Sequence, residues 1–131
     1  MSIIIGGEDD DTPLDEHQIL YNRGIEYYKE GYYDKAIKYF SAVLKIKPYY
    51  LVALYSRGDS YAKKCDYDRA IESWTAVLEF EPKDLYALYS RGLAHYKKDN
   101  YDQAINDLET VLKISPNYDN AKQLLEEIRQ A

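Results

Sequence analysis

Three of the four prolines, Pro48, Pro82 and Pro116, stand 34 residues apart, and this spacing constrains the fold more than any other feature of the sequence. Superposing residues 17–50, 51–84 and 85–118 gives 12 positions identical in all three copies without a gap. They include Leu20/Leu54/Leu88, Tyr21/Tyr55/Tyr89, Arg23/Arg57/Arg91, Gly24/Gly58/Gly92, Lys29/Lys63/Lys97, Asp34/Asp68/Asp102 and Ala36/Ala70/Ala104. A unit that recurs at this period cannot bury its apolar face alone, so the copies must stack.

Within one copy the apolar spacing is helical. Leu54, Gly58 and Tyr61 fall at i, i+4 and i+7, and Ala70, Ile71, Trp74, Val77 and Leu78 form a second stripe. Each unit is therefore two amphipathic helices, broken near Cys65 and ended by Pro82, which lacks an amide donor. Asp68 and its equivalents are expected to cap the second helix or sit in its first turn. Gly31 stands at the break in copy one, but Cys65 and Asp99 replace it, so a left-handed residue is not expected to be compulsory there. Gly24, Gly58 and Gly92 facing Ala36, Ala70 and Ala104 would let two backbones approach closely, with Phe40, Trp74 and Leu108 filling the wider part of the interface. Arg23, Arg57 and Arg91 lie beside this core and need carboxylate partners or a route to solvent.

The ends differ from the copies. Ala121, Leu124, Leu125 and Ile128 share one side of a final helix over 119–131, and Glu126 takes the place of the repeat glycine. At the start, Thr12 reads as a helix cap with the helix beginning near Pro13. Residues 1–11 read as a disordered acidic tail. Residues 1–16 hold six of the acids and no Lys or Arg, so the net charge of −6 belongs to that segment and residues 17–131 carry 17 acids and 17 bases. Such a body lacks the basic footprint that a phosphate backbone requires, and nucleic acid is not an expected partner. No apolar stretch has the length of a membrane span, and the chain is expected to be cytoplasmic and to engage no membrane.

These features resemble the tetratricopeptide repeat (TPR) family over residues 17–118, carried by Leu20, Gly24, Tyr27, Ala36, Phe40 and Pro48 and their counterparts. Arg23, Arg57 and Arg91 depart from the leucine usual before the glycine, and His95 stands where the other copies have tyrosine. The resemblance implies an all-α right-handed superhelix (α-solenoid) of three helix-turn-helix units, 17–50, 51–84 and 85–118, with 119–131 as a capping helix and the domain as a whole over 12–131. It also implies a non-catalytic interaction module whose first helices line a concave groove for a peptide segment or helix of a partner protein.

By helical spacing, Tyr21, Ile25, Tyr28 and Lys29 in copy one, Tyr55, Asp59, Ala62 and Lys63 in copy two, and Tyr89, Leu93, Tyr96 and Lys97 in copy three share a face; the resemblance implies that this face lines the groove, with Gln18, Val52 and Tyr86 at its edge. Tyrosines there offer rigid amphipathic anchors, and the lysines favour an acidic ligand. One branch of the family grips acidic chaperone tails with lysine, arginine and asparagine, but the matching places here are Tyr21, Ile25, Ser56, Tyr86 and Ser90, which disfavours that ligand. Glu8 to Asp11 would be able to lie over Lys29, Lys63 and Lys97 in competition with such a ligand. Self-association as a structural assembly piece is the alternative, with Tyr32, Tyr39, Tyr49 and Tyr50 as a patch for a homo-oligomer.

Chemistry has little support in the sequence. His17 and His95 are far apart in the repeat, Cys65 is the single cysteine, and no metal, cofactor or catalytic constellation is expected.

Overall fold

The computed structural model describes residues 13–131. Among them run seven helices and no strand: α1 (Glu16–Lys29), α2 (Tyr33–Ile46), α3 (Leu51–Lys63), α4 (Tyr67–Phe80), α5 (Leu85–Lys97), α6 (Tyr101–Ile114) and α7 (Asp119–Gln130). Each helix packs on the next in sequence, and α1 touches α3 as α5 touches α7, which makes an all-α solenoid of three hairpins and a closing helix. The proposed acidic tail, residues 1–11, lies outside the described residues, as does Thr12.

Local chemistry sets the helix ends. The second helix of each hairpin stops at Lys47, Glu81 or Ser115, with φ of −130°, −127° and −134°. The ring of the following proline forces that extended backbone on the residue before it. The first helix starts later than expected: Glu16 is its first residue, Asp15 precedes it, and the Gln18 side chain accepts from the Asp15 amide at 2.9 Å. An acid followed three residues later by glutamine is a capping pair, and it sets the boundary downstream of Pro13.

The turn inside each hairpin corrects a second expectation. Gly31, Cys65 and Asp99 all take the left-handed conformation, with φ of 83°, 61° and 62°. The reason is hydrogen-bond closure: the amides of Tyr32, Asp66 and Asn100 donate to Tyr27, Tyr61 and His95 carbonyls at 2.8 to 2.9 Å, a geometry that needs a left-handed residue just before. Asp34, Asp68 and Asp102 lie in the first turn rather than at the cap, which is Asp66 in α4 and Asn100 in α6. Asp34 instead pairs with Lys64, and Asp68 with Lys98, so each bridges to the next hairpin.

The small residues pack as the spacing predicts, but unequally. A methyl group on Gly24 would lie 2.6 Å from Phe40 Cε1, and one on Gly58 2.5 Å from Trp74 Nε1. At Gly92 the nearest atoms would be Asp107 Cβ at 3.3 Å and Leu108 at 3.4 Å, so the third hairpin is looser at this point. The three arginines find different partners. Arg91 is held by two bonds to buried Asp107, at 2.7 and 2.8 Å, and reaches Thr75 of the preceding hairpin at 3.2 Å. Arg57 donates to Ser73 at 3.1 Å, and Arg23 stays exposed beside Glu26 at 3.5 Å.

Ala121, Leu124, Leu125 and Ile128 bury the inner face of α7, and Glu126 is exposed on its outer side, as a closing helix requires. No helix among the described residues is long and apolar enough to cross a membrane.

Candidate functional site

Two adjoining hollows open on the side formed by α1, α3 and α5. One, of about 360 Å³, is lined by Tyr28, Asp59, Ala62, Lys63, Tyr67, Trp74, Tyr86, Ser90, Leu93, Ala94 and Lys97. The other, of about 290 Å³, is lined by Ile25, Tyr28, Lys29, Ser56 and Asp59. Tyr28 and Asp59 belong to both, so the two form one groove along the first helices.

A single column of the repeat explains why the larger hollow exists. Tyr28 and Tyr96 hold equivalent places in copies one and three, and each packs on the tyrosine that opens the following helix: Tyr28 on Tyr33 with centroids 5.4 Å apart, Tyr96 on Tyr101 at 6.0 Å. Copy two has Ala62 in that column. Without a ring there, Tyr67 and the face of Trp74 are left to line open space. Trp74 is buried, and its indole N–H has no hydrogen-bond partner among the described residues.

Asp59 is the polar centre. Tyr86 donates its hydroxyl to Asp59 Oδ1 at 2.7 Å, across the junction between α3 and α5. Burial raises the Asp59 carboxyl above its ordinary range, opposed by the Tyr86 hydrogen bond, the Lys63 charge and the nearby Trp74 indole, which falls short of hydrogen-bond geometry. Burial, and then the bond to Asp59, raise the Tyr86 phenol as well, and burial raises Tyr28. The hollow thus combines aromatic walls, one desolvated carboxylate and lysines at its rim.

Of the residues expected from sequence, the groove brings together Ile25, Tyr28, Lys29, Asp59, Lys63, Tyr86, Leu93 and Lys97. The row Tyr21, Tyr55 and Tyr89 lies outside both linings and meets the residue before the first helix of the next unit. Tyr21 packs edge-on against Tyr50 at 5.9 Å, Tyr55 donates to Asp84, and Tyr89 packs on Tyr118 at 5.5 Å. Burial and the Asp84 bond raise the Tyr55 phenol strongly. Tyr96 points its hydroxyl at Glu127, 3.4 Å away, and Val52 is exposed outside the linings. Tyr67, Trp74 and Ala94 line the hollow without having been expected there; Trp74 reads as core from its spacing. Alanine in a tyrosine column was the available signal.

The remaining reactive groups have structural surroundings. His95 is packed, with Nδ1 buried and unpartnered among the described residues; burial pushes its imidazole down, aided by Arg91 and Lys98 and opposed by Asp107. Cys65 is exposed in its turn, and no cluster of metal-ligating side chains occurs among the described residues.

Tetratricopeptide repeat family models match residues 17–50 and 58–131, and the chain belongs to that family. The family is generally a non-catalytic protein-interaction fold. Similar solved structures include the first TPR of Spaghetti (RPAP3) bound to the HSP90 peptide SRMEEVD, at 26% identity and TM-score 0.81, covering 88% of this chain and 91% of that one. The first TPR domain of human RPAP3 gives 26% identity and TM-score 0.78, covering 87% and 90%. MamA from Desulfovibrio magneticus RS-1 gives 27% and 0.81, covering 86% of this chain and 64% of that chain. A comparison with curated proteins gave no match.

Proposed function

We propose that the protein is a non-catalytic adaptor that holds a peptide segment or helix of a partner protein in the groove along α1, α3 and α5. The observation that carries this reading is the hollow at Ala62, where aromatic walls stand open around a partly buried carboxylate. Surfaces of this composition give affinity through rigid side chains that lose little entropy on binding. Peptide binding by the similar RPAP3 domain supports the class of function. The chaperone tail of that complex is not the ligand proposed here, because Tyr21, Ile25, Ser56, Tyr86 and Ser90 supply no clamp cation or amide, and Tyr86 is already committed to Asp59.

Selection of displayed random peptides on the full chain tests this reading against Ala62→Tyr. That variant restores the residue of the other two copies and fills the hollow. Peptides should be enriched on the wild type and bind at least about tenfold more weakly to Ala62→Tyr, whose helicity stays unchanged; ten-fold corresponds to about 1.4 kcal/mol. Equal binding to both proteins would contradict the assignment.

Self-association is a second reading, favoured by one observation. Ile46, Phe80 and Ile114 recur at the 34-residue period at the ends of the second helices, 44%, 46% and 37% exposed, and Tyr49 lies against Phe80 with centroids 4.5 Å apart. The tyrosines first considered for this role divide into two groups. Tyr32 and Tyr39 gather around Tyr27, and Tyr49 and Tyr50 lie beyond the other end of α2. Light scattering showing one mass over a wide concentration range would remove this reading.

A further inference from the structure

In α3 and α5 the face that meets the preceding hairpin is sealed with small residues. Ala53 and Ser60 are fully buried, Ala87 and Ala94 pack into the core of the second hairpin with Trp74 and Val77, and Arg91 reaches Thr75 of that hairpin. The same columns in α1 carry Ile19, Arg23 and Glu26, which follow at i, i+4 and i+7 and so share one face. Nothing among the described residues covers it: Ile19 is 52% exposed, and Arg23 has the exposed Glu26 beside it. On α2, Tyr39 stands in the column where Ser73 and Asp107 accept from the repeat arginines, and it stacks on Tyr27 with centroids 5.4 Å apart. Exposed Tyr32 closes edge-on against Tyr27, and the Lys35 ammonium lies over both rings at 5.4 and 5.5 Å.

The two ends of the solenoid are therefore finished differently. α7 leaves Lys122, Glu126 and Arg129 exposed, the polar finish that a terminal unit needs. The first hairpin presents an isoleucine and a tyrosine cluster instead. A lone exposed isoleucine is ordinary, but this one occupies a column that is buried in both other copies. The chain itself supplies an occupant of matching chemistry. Ile3, Ile4 and Ile5 precede Gly6 and Gly7 and then the acids Glu8 to Asp11, with no Lys or Arg before α1. From Ile5 to Thr12 the backbone spans up to about 23 Å, against roughly 21 Å for the whole of α1, so the isoleucines reach any part of the face. Their tether also gives them an effective concentration that a separate partner lacks.

We infer that residues 3–11 fold back across the outer face of α1 and α2, with Ile3, Ile4 and Ile5 seated on Ile19, Tyr27 and Tyr39 and the acids Glu8 to Asp11 beside Arg23. The segment completes this end of the solenoid as a preceding hairpin does for α3 and α5. Glu26 is the one acid of the stripe, and Arg23 offsets it at 3.5 Å. Docked there, the segment keeps the first hairpin from stacking on another copy. The inference does not rest on the groove reading, because Ile19, Arg23, Tyr27 and Tyr39 line neither hollow.

A nitroxide on Ser2→Cys in the full chain, with Cys65→Ser to leave one thiol, tests this through the loss of amide signal it causes nearby. Amides of Tyr27 and Tyr39 should lose most of their intensity together with those of Ile19 and Arg23, while α7 keeps its own. The same label on a chain that also carries Ile3→Ser, Ile4→Ser and Ile5→Ser should spare Tyr27 and Tyr39, and that variant should melt about 3–6 °C lower. Mixing the spin-labelled chain with an isotope-labelled, spin-free copy separates the occupants. No loss in the mixture supports docking within one chain, whereas loss at Ile19 and Tyr39 there assigns the face to a second copy and overturns the inference. Loss centred on Lys29, Lys63 and Lys97, loss that only fades with distance from Glu16 and ignores the serine substitutions, or an unchanged melt would each overturn it as well. All of these outcomes leave the adaptor reading standing.

Discussion

The first and second junctions of the solenoid have the same architecture and opposite chemistry. Where Ile25 and Val52 stand at the first junction, Asp59 and Tyr86 stand at the second and share a hydrogen bond of 2.7 Å. Where Tyr21 meets the ring of Tyr50, Tyr55 meets the carboxylate of Asp84. Arg57 has a serine hydroxyl as partner, whereas Arg91 has the Asp107 carboxylate and reaches back to Thr75. The repeat dictates which positions meet, and side-chain identity at those positions then decides how polar they are: the first junction joins Tyr21 to Ser56 through hydroxyl groups 3.3 Å apart, and the second places a carboxylate at each of these contacts. Only at the second does an alanine replace the covering tyrosine, so the polar junction and the larger hollow coincide.

The largest effect belongs to the wall of that hollow. Gly58→Ala puts a methyl group into the rigid ring of Trp74 and should lower stability by about 3 kcal/mol, against a helix-propensity gain of about 1. Gly92→Ala, with its nearest atoms at 3.3 Å, should lie within about 1 kcal/mol of wild type. Chemical denaturation of the two variants reads the contrast directly; similar losses would remove the packing argument.

Asp107→Ala comes next. It strands the Arg91 guanidinium, which is about one-fifth exposed, and should cost roughly 2–3 kcal/mol. Ser73→Ala, its counterpart, removes a single neutral acceptor and should cost about 1 kcal/mol. Thermal melts that order these two the other way would break the comparison.

The polar pair at the second junction can be exchanged for the apolar pair of the first. Asp59→Ile with Tyr86→Val should fold with stability within about 1 kcal/mol of wild type, since Tyr86 is exposed and Asp59 only partly buried, so the exchange leaves neither a cavity nor a stranded charge. It should also lose a pH signature. The folded Asp59 pKa is raised above its unfolded value near 3.8, so this group favours the folded state most when protonated. Its contribution is full below pH 3.8 and declines as pH rises through the raised value. Denaturation at several acid pH values should show that slope in the wild type and a shallower one in the double variant.

The smallest effect reverses sign. Cys65→Gly relieves a left-handed residue that carries a side chain and should stabilise by up to about 1 kcal/mol, as Gly31 already does in copy one. A melt with no gain would contradict the strain assigned to that turn.

The hairpins, their glycine contacts and the closing helix were legible because each rests on a pattern repeated in register. The left-handed state of Cys65 and Asp99 was not, since it follows from the hydrogen bonds that close the helix and not from a preference of those side chains. The start of α1 was legible in Asp15 and Gln18, but Thr12 and Pro13 offered a competing signal. The contacts of the tyrosine row were hidden for a different reason. Tyr21, Tyr55 and Tyr89 share a face with the groove, yet their rings reach sideways to positions 50, 84 and 118, one period apart, which a single-helix projection does not show. Pairing columns between copies would have exposed both these contacts and the gap at Ala62.

Amide chemical-shift mapping with an enriched peptide on the full chain reads out whether the groove at the second junction receives a partner segment. The largest shifts are expected at Tyr28, Asp59, Ala62, Ser90 and Leu93, and none of comparable size at Ile46, Phe80 and Ile114. Shifts confined to that second row, with the groove silent, would contradict binding in the groove.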